Sequence, residues 1–272
     1  MTVASGTGVE RIERAFAAAK RERRMAIVIY LMTGFPRRDA TRGLVRAALD
    51  GGADVIELGV PFSDPMADGT TVQHAGETAL REGIRLDDCI AEAAGAVAER
   101  DAAVLLMGYL NPFLQYGPER LAGALRSAGI AGVIAPDLPA EESAVIDAAL
   151  VPAGVARIDM VAPTTPDDRL ERLLPRARGF VYCVSLTGVT GARSGLSQDV
   201  APFLRRVRAR TPLPIAVGFG ISRPEHVRAL RGIADGVAVG SAAIDAIDHA
   251  EPGRAEDALR DLVRSLREGG AG

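Results

Sequence analysis

The chain has 272 residues, 48% of them hydrophobic and 25% charged, and its formal net charge is −3. This composition is typical of a globular protein, and the charge excludes the global basic field that binds nucleic acid or anionic membranes. No apolar run reaches the ~18 residues that span a bilayer, and the first residues lack the apolar core of a signal peptide. Two distant cysteines, Cys89 and Cys183, form no metal or redox motif, so we expect a cytoplasmic protein with reduced thiols.

Apolar strands alternate with helices from the start of the chain. The first helix is predicted over residues 9–24, and a continuous apolar strand follows over 25–33. Later strands are predicted from residue 54 and over 103–107, 131–135, 156–161, 180–184, 214–217 and 236–239. Helices are predicted between them over 73–82, 87–100, 118–128, 141–150, 200–209 and 255–267, with shorter ones ending near residues 51, 174 and 230.

The joints between helices and strands repeat. Residues 47–56, 124–134 and 229–238 each contain a helix end, a glycine stop and a strand of small and β-branched residues. Eight short apolar strands alternating with helices predict an α/β fold, a parallel sheet closed as a (β/α)8 TIM barrel with an additional N-terminal helix. The alternative is a doubly wound open sheet, but no Gly-x-Gly-x-x-Gly motif follows the first strand. We predict a single barrel domain over residues 1–272, with disordered ends at 1–8 and 269–272.

A carboxylate interrupts the second strand. Glu57 has apolar neighbours on both sides, and burying it unpaired is costly, so its pKa should rise. The long loop that follows carries Asp64 and Asp68. A neutral acid at a strand end, facing a loop with an ionised acid, is an arrangement that acid–base catalysis uses. The alternative is a buried acid that is satisfied by a neighbouring backbone amide.

Glycine clusters follow the late strands, at the end of a barrel where active residues lie. They cover residues 186–195, 218–222 and 240–241, and the last two form the candidate phosphate site. Barrels commonly bind phosphate there, because glycines let backbone N–H groups approach it and a helix N-terminus is positive. Tight turns with unusual backbone angles are the alternative explanation. The polar loop over 186–195 is a candidate lid, and Tyr182 either contacts substrate or fills the barrel.

Together these residues resemble the α subunit of tryptophan synthase. The most specific element is Glu57-Leu-Gly-Val-Pro-Phe-Ser-Asp-Pro-Met-Ala-Asp-Gly69, and the resemblance runs from the first strand through Ser241. Supporting elements are Asn111-Pro112, Pro136-Asp-Leu-Pro139, Gly188-Val-Thr-Gly191, Gly218-Phe-Gly-Ile-Ser222 and Gly240-Ser241. The resemblance implies a lyase of tryptophan biosynthesis that cleaves indole-3-glycerol phosphate to indole and glyceraldehyde 3-phosphate.

The resemblance also implies roles for individual residues. Glu57 would be the general acid/base, and Asp68 would accept the indole N–H. Thr190 would help to order the site, and Tyr182 and Phe219 would lie against the substrate. The phosphate would be held by four small residues: Gly191, Gly220, Gly240 and Ser241. No cofactor and no metal are expected in this chain.

A partner is implied in the same way. A β subunit would complete an αββα heterotetramer, and pyridoxal phosphate is expected only on that partner. Residues 61–64 and the loop over 111–116 would face it.

The residue chemistry is consistent with acid–base catalysis. Aldol-type cleavage can use a lysine Schiff base or a metal. The only lysine, Lys20, lies in the predicted N-terminal helix, away from the catalytic face, and the sequence shows no metal-ligand cluster.

Three other functions are alternatives to this lyase. Indole-3-glycerol phosphate synthase is a related phosphate-binding barrel, but it relies on lysine chemistry that this chain lacks at its strand ends. A free-standing indole-releasing lyase remains open. A catalytically weak barrel that only activates a β subunit is disfavoured, because Glu57 and Asp68 are both present.

Overall fold

The structure, a computed structural model, describes residues 6–184, 200–218 and 220–272. The strands are β1 (Ala26–Met32), β2 (Val55–Gly59), β3 (Ala103–Met107), β4 (Gly132–Ile134), β5 (Ala156–Arg157), β6 (Asp159–Val161), β7 (Val181–Val184), β8 (Ile215–Gly218) and β9 (Gly236–Val239). The helices are α1 (Gly8–Arg21), α2 (Thr41–Gly51), α3 (Thr70–Arg81), α4 (Leu86–Arg100), α5 (Leu110–Tyr116), α6 (Pro118–Ala128), α7 (Ala144–Leu150), α8 (Asp167–Leu173), α9 (Val200–Arg208), α10 (Pro224–Leu230), α11 (Ser241–Asp248) and α12 (Ala255–Gly270). None of the described helices combines the length and the apolarity that crossing a bilayer requires.

The strands form one parallel sheet in the order β5-β4-β3-β2-β1-β9-β8-β7-β6. The two outermost strands, β5 and β6, are separated in the chain only by Ile158, so the sheet curls into a nearly closed barrel. The predicted TIM barrel and its additional N-terminal helix are therefore confirmed. Because all strands run the same way, their carboxyl ends meet at one end of the barrel.

Alternate strand residues face the barrel interior or the surrounding helices. In β2, Val55 packs in the interior cluster, whereas Ile56 and Leu58 pack in the cluster beneath the helices. Helix α1 closes the amino-terminal end of the barrel, where the ring centroid of Phe16 lies 5.3 Å from that of Phe180. Fully burying such a side chain stabilises the fold by about 1.5–3 kcal/mol. A capping box between Thr7 and Glu10 begins the same helix.

Two local predictions differ from the structure. The strand predicted over 156–161 is divided at Ile158, because β5 pairs with β4 while β6 pairs with β7. The loop predicted over 111–116 is helix α5.

Residues 269–272, for which the sequence predicts disorder, are among the residues that the structure describes. Gly269 and Gly270 are buried at the end of α12, and the Gly270 carbonyl accepts a hydrogen bond of 3.3 Å from the N–H of Met25. A backbone bridge between Arg24 and Ala271 adds to this contact. Backbone pairing and burial thus fix a tail whose small residues gave no sequence signal. Of the other end, Gly6 to Gly8 is described, and Thr7 caps α1.

Candidate active site

Glu57 lies inside the barrel. It alternates with the interior residue Val55 along β2 and is 1% exposed. Parallel pairing places Glu57 beside Tyr30 of β1 and Leu105 of β3. Burial raises the pKa of Glu57 to about 8, because a medium of low polarity disfavours the charged form. The predicted rise of its pKa is thus confirmed, and the carboxyl is mostly protonated at neutral pH.

Asp68 is held in the loop between β2 and α3, at the carboxyl end of β2. Tyr109, which follows β3, supports this loop: its hydroxyl accepts a hydrogen bond of 2.9 Å from the N–H of Ala67. The Tyr109 ring also stacks on Phe62, with the ring centroids 5.2 Å apart. Burial raises the pKa of Asp68, and a hydrogen bond from Tyr109 opposes that rise. Because Asp68 is only half-buried, water remains available to stabilise its charged form.

Two phenols, Tyr30 and Tyr182, lie near Glu57. For both, burial raises the pKa well above its usual value, and the nearby carboxyl groups add to the rise. Both phenols are therefore neutral hydrogen-bond donors throughout the physiological range. Each ring lies over a glycine of the neighbouring strand. A Cβ at Gly59 would collide with the Tyr30 hydroxyl, and one at Gly218 would lie 2.7 Å from the Tyr182 ring, so both positions require glycine.

These side chains line one cavity of about 580 Å³. Its volume falls within the range of about 300–1,000 Å³ that is usual for small-molecule sites. Carboxyl, phenol and apolar groups lie on its wall, the last including Met107, Met160 and Ile221. The cavity can thus enclose an apolar ring and present acidic groups to it.

Gly220, Gly240 and Ser241 line the same cavity. Gly240 directly precedes α11, and the N–H groups of Ala243 and Ile244 are bonded to the Gly240 carbonyl. The N–H groups of Ser241 and Ala242 precede these bonds at the start of the helix, so they and the positive end of the helix favour an anion. Gly220 has a φ of +64°, and apart from its chain neighbours no described residue lies within 4 Å of a Cβ placed there. This wall suits a phosphate group.

The structure brings together six of the residues predicted from the sequence: Glu57, Asp68, Tyr182, Gly220, Gly240 and Ser241. The other three, Thr190, Gly191 and Phe219, lie outside the described residues, as does the predicted lid over 186–195. Lys20 lines a different cavity. Among the described residues there is no group of three or more His, Cys, Asp and Glu side chains that could hold a metal ion.

Sequence reasoning missed two residues of the site, Tyr30 and Tyr109. Tyr109 comes two residues after β3 and directly before α5, so its place at the carboxyl end of a strand was a usable signal. Tyr30 gave no such signal, because it lies inside a continuous apolar strand. Its neighbourhood to Glu57 follows from the register of β1 with β2, which only the folded sheet defines.

The arrangement combines a buried carboxyl that is mostly protonated, a second carboxyl that is only half-buried, two neutral phenols and an anion-binding wall. Such a site can donate a proton to one atom of an apolar ring while stabilising positive charge elsewhere on that ring. Binding of a phosphate at the wall would fix the position of the ring relative to both acids.

Comparison with known proteins gives one consistent result. The model of the family described as "Tryptophan synthase alpha chain" matches residues 16–269. The tryptophan synthase alpha chain of Roseiflexus sp. (strain RS-1) is 51% identical over 261 residues, which cover 95% of this chain and 100% of that one. That of Chloroflexus aurantiacus is 46% identical over 96% of this chain and 97% of its own.

Solved structures agree. A tryptophan synthase structure from Mycobacterium tuberculosis matches with a TM-score of 0.89 at 36% identity, covering 96% of this chain and 98% of that chain. The tryptophan synthase subunit alpha of Legionella pneumophila matches with a TM-score of 0.88 at 34% identity, covering 95% of this chain and 97% of that one.

Proposed function

This chain belongs to the tryptophan synthase alpha chain family, lyases that cleave indole-3-glycerol phosphate, and we propose that Glu57 and Asp68 carry out this reaction. One observation carries the assignment. A buried carboxyl with a pKa of about 8 and a half-buried second carboxyl line the same cavity. An acid and a base with different environments are what a retro-aldol cleavage without a Schiff base needs.

In the proposed mechanism Glu57 protonates C3 of the indole ring. The ring then carries a positive charge and can accept the electron pair of the bond to the glycerol carbon. The Glu57 carboxylate left by this transfer takes the proton of the adjacent glycerol hydroxyl, and the carbon–carbon bond breaks as the C=O of the aldehyde forms. The products are indole and glyceraldehyde 3-phosphate, and Glu57 is protonated again. A positioned acid/base group of this kind typically contributes about 10²–10⁴-fold to the rate.

Asp68 would accept the hydrogen bond of the indole N–H. As a carboxylate it stabilises the positive charge that spreads to the ring nitrogen after C3 is protonated. The hydrogen bond from Tyr109 favours that charged form. Tyr182, and Phe219 beyond the described residues, would lie against the substrate, and Thr190 would help to order the site.

Gly220, Gly240 and Ser241 would hold the substrate phosphate, together with Gly191. The N–H groups of Ser241 and Ala242, the first two residues of α11, are the physical basis of this proposal. Anchoring the phosphate would place the indole ring between the two acids. The ring would then lose its translational and rotational freedom on binding and not in the chemical step, which lowers the activation barrier.

We further propose that the chain works with a β subunit in an αββα heterotetramer, with pyridoxal phosphate on that partner alone. The loop after β2 and the helix α5 carry large exposed apolar side chains, Met66 with 84% and Leu114 with 38% of its surface exposed. Large apolar side chains exposed on these two segments are consistent with a protein partner. A cytoplasmic location remains a prediction from composition.

The test is indole release from indole-3-glycerol phosphate, measured with the chain alone and with an added β subunit. We expect turnover that the β subunit increases. The same turnover with and without the β subunit would favour a free-standing lyase. No indole release under either condition, combined with faster turnover of the β subunit, would favour the weak activator.

A further inference from the structure

A second cavity lies at the opposite end of the barrel from Glu57. Its volume is about 910 Å³, compared with about 580 Å³ for the catalytic cavity, and the two share no lining residue. Met25, Pro214 and Asp235 on its wall directly precede β1, β8 and β9, so the cavity opens at the amino-terminal ends of these strands. We call it the basal cavity.

The wall of the basal cavity is strongly basic. It carries six cationic side chains: Lys20, Arg23, Arg24, Arg208, Arg228 and Arg231. Only two carboxylates, Glu13 and Asp235, accompany them. Because the whole chain has a net charge of −3, this positive charge is a local concentration and not a general property of the surface.

Two of the six cations are already paired. Arg24 is bonded to Asp54 through two guanidinium nitrogens, at 2.6 and 2.7 Å. Arg208 forms an ion pair with Asp235.

The other four have no hydrogen-bond or ion-pair partner for their side chains within the described residues: Lys20, Arg23, Arg228 and Arg231. Ion pairs occupy many of the chain's other arginines, so four unpaired cations around one cavity leave its positive charge uncompensated.

The backbone at Arg23 adds a second observation. Its φ is +56°, in the left-handed region, just after the end of α1. Glycine is the usual residue in such a place, and another L-residue there costs about 1–2 kcal/mol. The chain thus carries a long cation at a position where glycine would be more stable, which indicates a role for the side chain.

The floor of the basal cavity is apolar. Ala17 and Pro212 line it and are exposed, and Pro214 beside them is half-buried. A ligand that fits would therefore combine several negative charges with a part that rests on an apolar surface. Four unpaired cations exceed what one monophosphate needs. The volume of the basal cavity is also at the upper end of the range of about 300–1,000 Å³ that is usual for small-molecule sites.

We propose that the basal cavity binds a small organic polyphosphate of nucleotide size. The four unpaired cations would contact its phosphates, and Ala17, Pro212 and Pro214 would contact its organic part. This binding site is independent of the catalytic cavity and of the roles proposed for Glu57 and Asp68.

The test is isothermal titration of the full chain with metal-free ATP and, separately, with pyrophosphate. Glycerol 3-phosphate is present in both titrations to occupy the catalytic cavity. The test variant is Arg228→Glu with Arg231→Glu, and the matched control is Arg81→Glu with Arg126→Glu, exposed arginines of α3 and α6. We expect the test variant to weaken ATP binding at least about tenfold (1.4 kcal/mol) and the control to leave it unchanged.

A third variant separates binding from folding. Arg23→Gly removes one cation and relieves the left-handed backbone, so it should raise the melting temperature while weakening ATP binding. Tighter binding of ATP than of pyrophosphate supports a contact with the apolar floor, whereas equal binding reduces the ligand to an inorganic polyphosphate and overturns the organic part of the proposal. An equal loss of ATP affinity in the test variant and the control would show that the basal cavity is not the binding site. The absence of binding to the unaltered chain at millimolar ATP would contradict the proposal as well.

Discussion

Tyr30 and Glu57 lie directly opposite each other on the neighbouring strands β1 and β2, so that the phenol and the carboxyl share the inner face of the barrel. The Tyr30 hydroxyl contacts only the weak acceptor Sδ of Met32, at 3.9 Å, and Oε1 of Glu57 is buried without a partner among the described residues. An unsatisfied buried polar group costs about 1–3 kcal/mol. Proteins keep such groups mainly where a ligand or a reaction uses them.

Glu57→Gln should abolish most of the indole release. Glutamine is nearly isosteric with glutamic acid but cannot donate a carboxyl proton to C3, so we expect a loss of about 10²–10⁴-fold in kcat. Steady-state kinetics and glycerol 3-phosphate titration check this, and phosphate-ligand binding should persist. Substantial remaining turnover would end the assignment of Glu57 as the acid.

The rate should fall as the pH rises through about 8. Burial raises the pKa of Glu57 to about 8, and the reaction requires its protonated form. The profile of log kcat/KM against pH should therefore show an alkaline limb with its midpoint near that value. This limb should be missing from the residual activity of Glu57→Gln, and an identical limb in that variant would assign it to another group.

The same carboxyl should make stability depend on pH. Since the pKa of Glu57 is 4.5 in the unfolded chain and about 8 in the folded chain, the folded chain binds more protons between these values, and stability falls as the pH rises through them. Each pKa unit corresponds to 1.36 kcal/mol, so Glu57→Gln should gain on the order of 4 kcal/mol relative to the unaltered chain between pH 4.5 and 8.

Urea unfolding at pH 5 and pH 9 measures this gain. Glu119→Gln, on an exposed face of α6, is the control and should show no such change between the two pH values. A difference between Glu57→Gln and the unaltered chain that is the same at both pH values would contradict the raised pKa.

Because the proposed mechanism needs Asp68 in its charged form, kcat/KM should also fall at low pH, which gives the rate profile an acidic limb. Tyr109→Phe should shift this acidic limb to higher pH. The hydrogen bond from Tyr109 lowers the pKa of Asp68, so its loss leaves the opposing effect of burial and Asp68 takes up a proton more readily. The profile of kcat/KM against pH measures the shift. The phenol of Tyr182 lies near Glu57, so Tyr182→Phe should leave the acidic limb unchanged. An acidic limb that does not move in Tyr109→Phe would show that Asp68 is not the group responsible for it.

Gly240→Asp should weaken the binding of glycerol 3-phosphate. A Cβ at this position has only ordinary contacts, the nearest being Cβ of Tyr30 at 3.8 Å, so the effect should come from the added negative charge beside the start of α11. Gly240→Ala is the matched control and should bind nearly as well as the unaltered chain. Equal affinity in all three proteins, measured by calorimetry, would move the phosphate site elsewhere.

The fold was largely readable from the sequence because a parallel barrel buries its strands on both faces, which makes them continuous apolar runs between helices. The glutamate inside such a run and the glycines after late strands were local signals for the site. The division of the fifth strand at Ile158 and the order of Gly269 and Gly270 were not readable, since both follow from pairing with distant segments. The same holds for Tyr30, whose contact with Glu57 depends on register alone.

Gly59 and Gly218 offer a route to altered substrate range. Neither residue supplies a side chain, yet the space above each one admits a tyrosine ring into the barrel. A methyl group at residue 59 would collide with the Tyr30 hydroxyl and would therefore displace it. Engineering the size of the acceptable aromatic group should therefore begin at these two glycines, which determine where the two tyrosine rings lie.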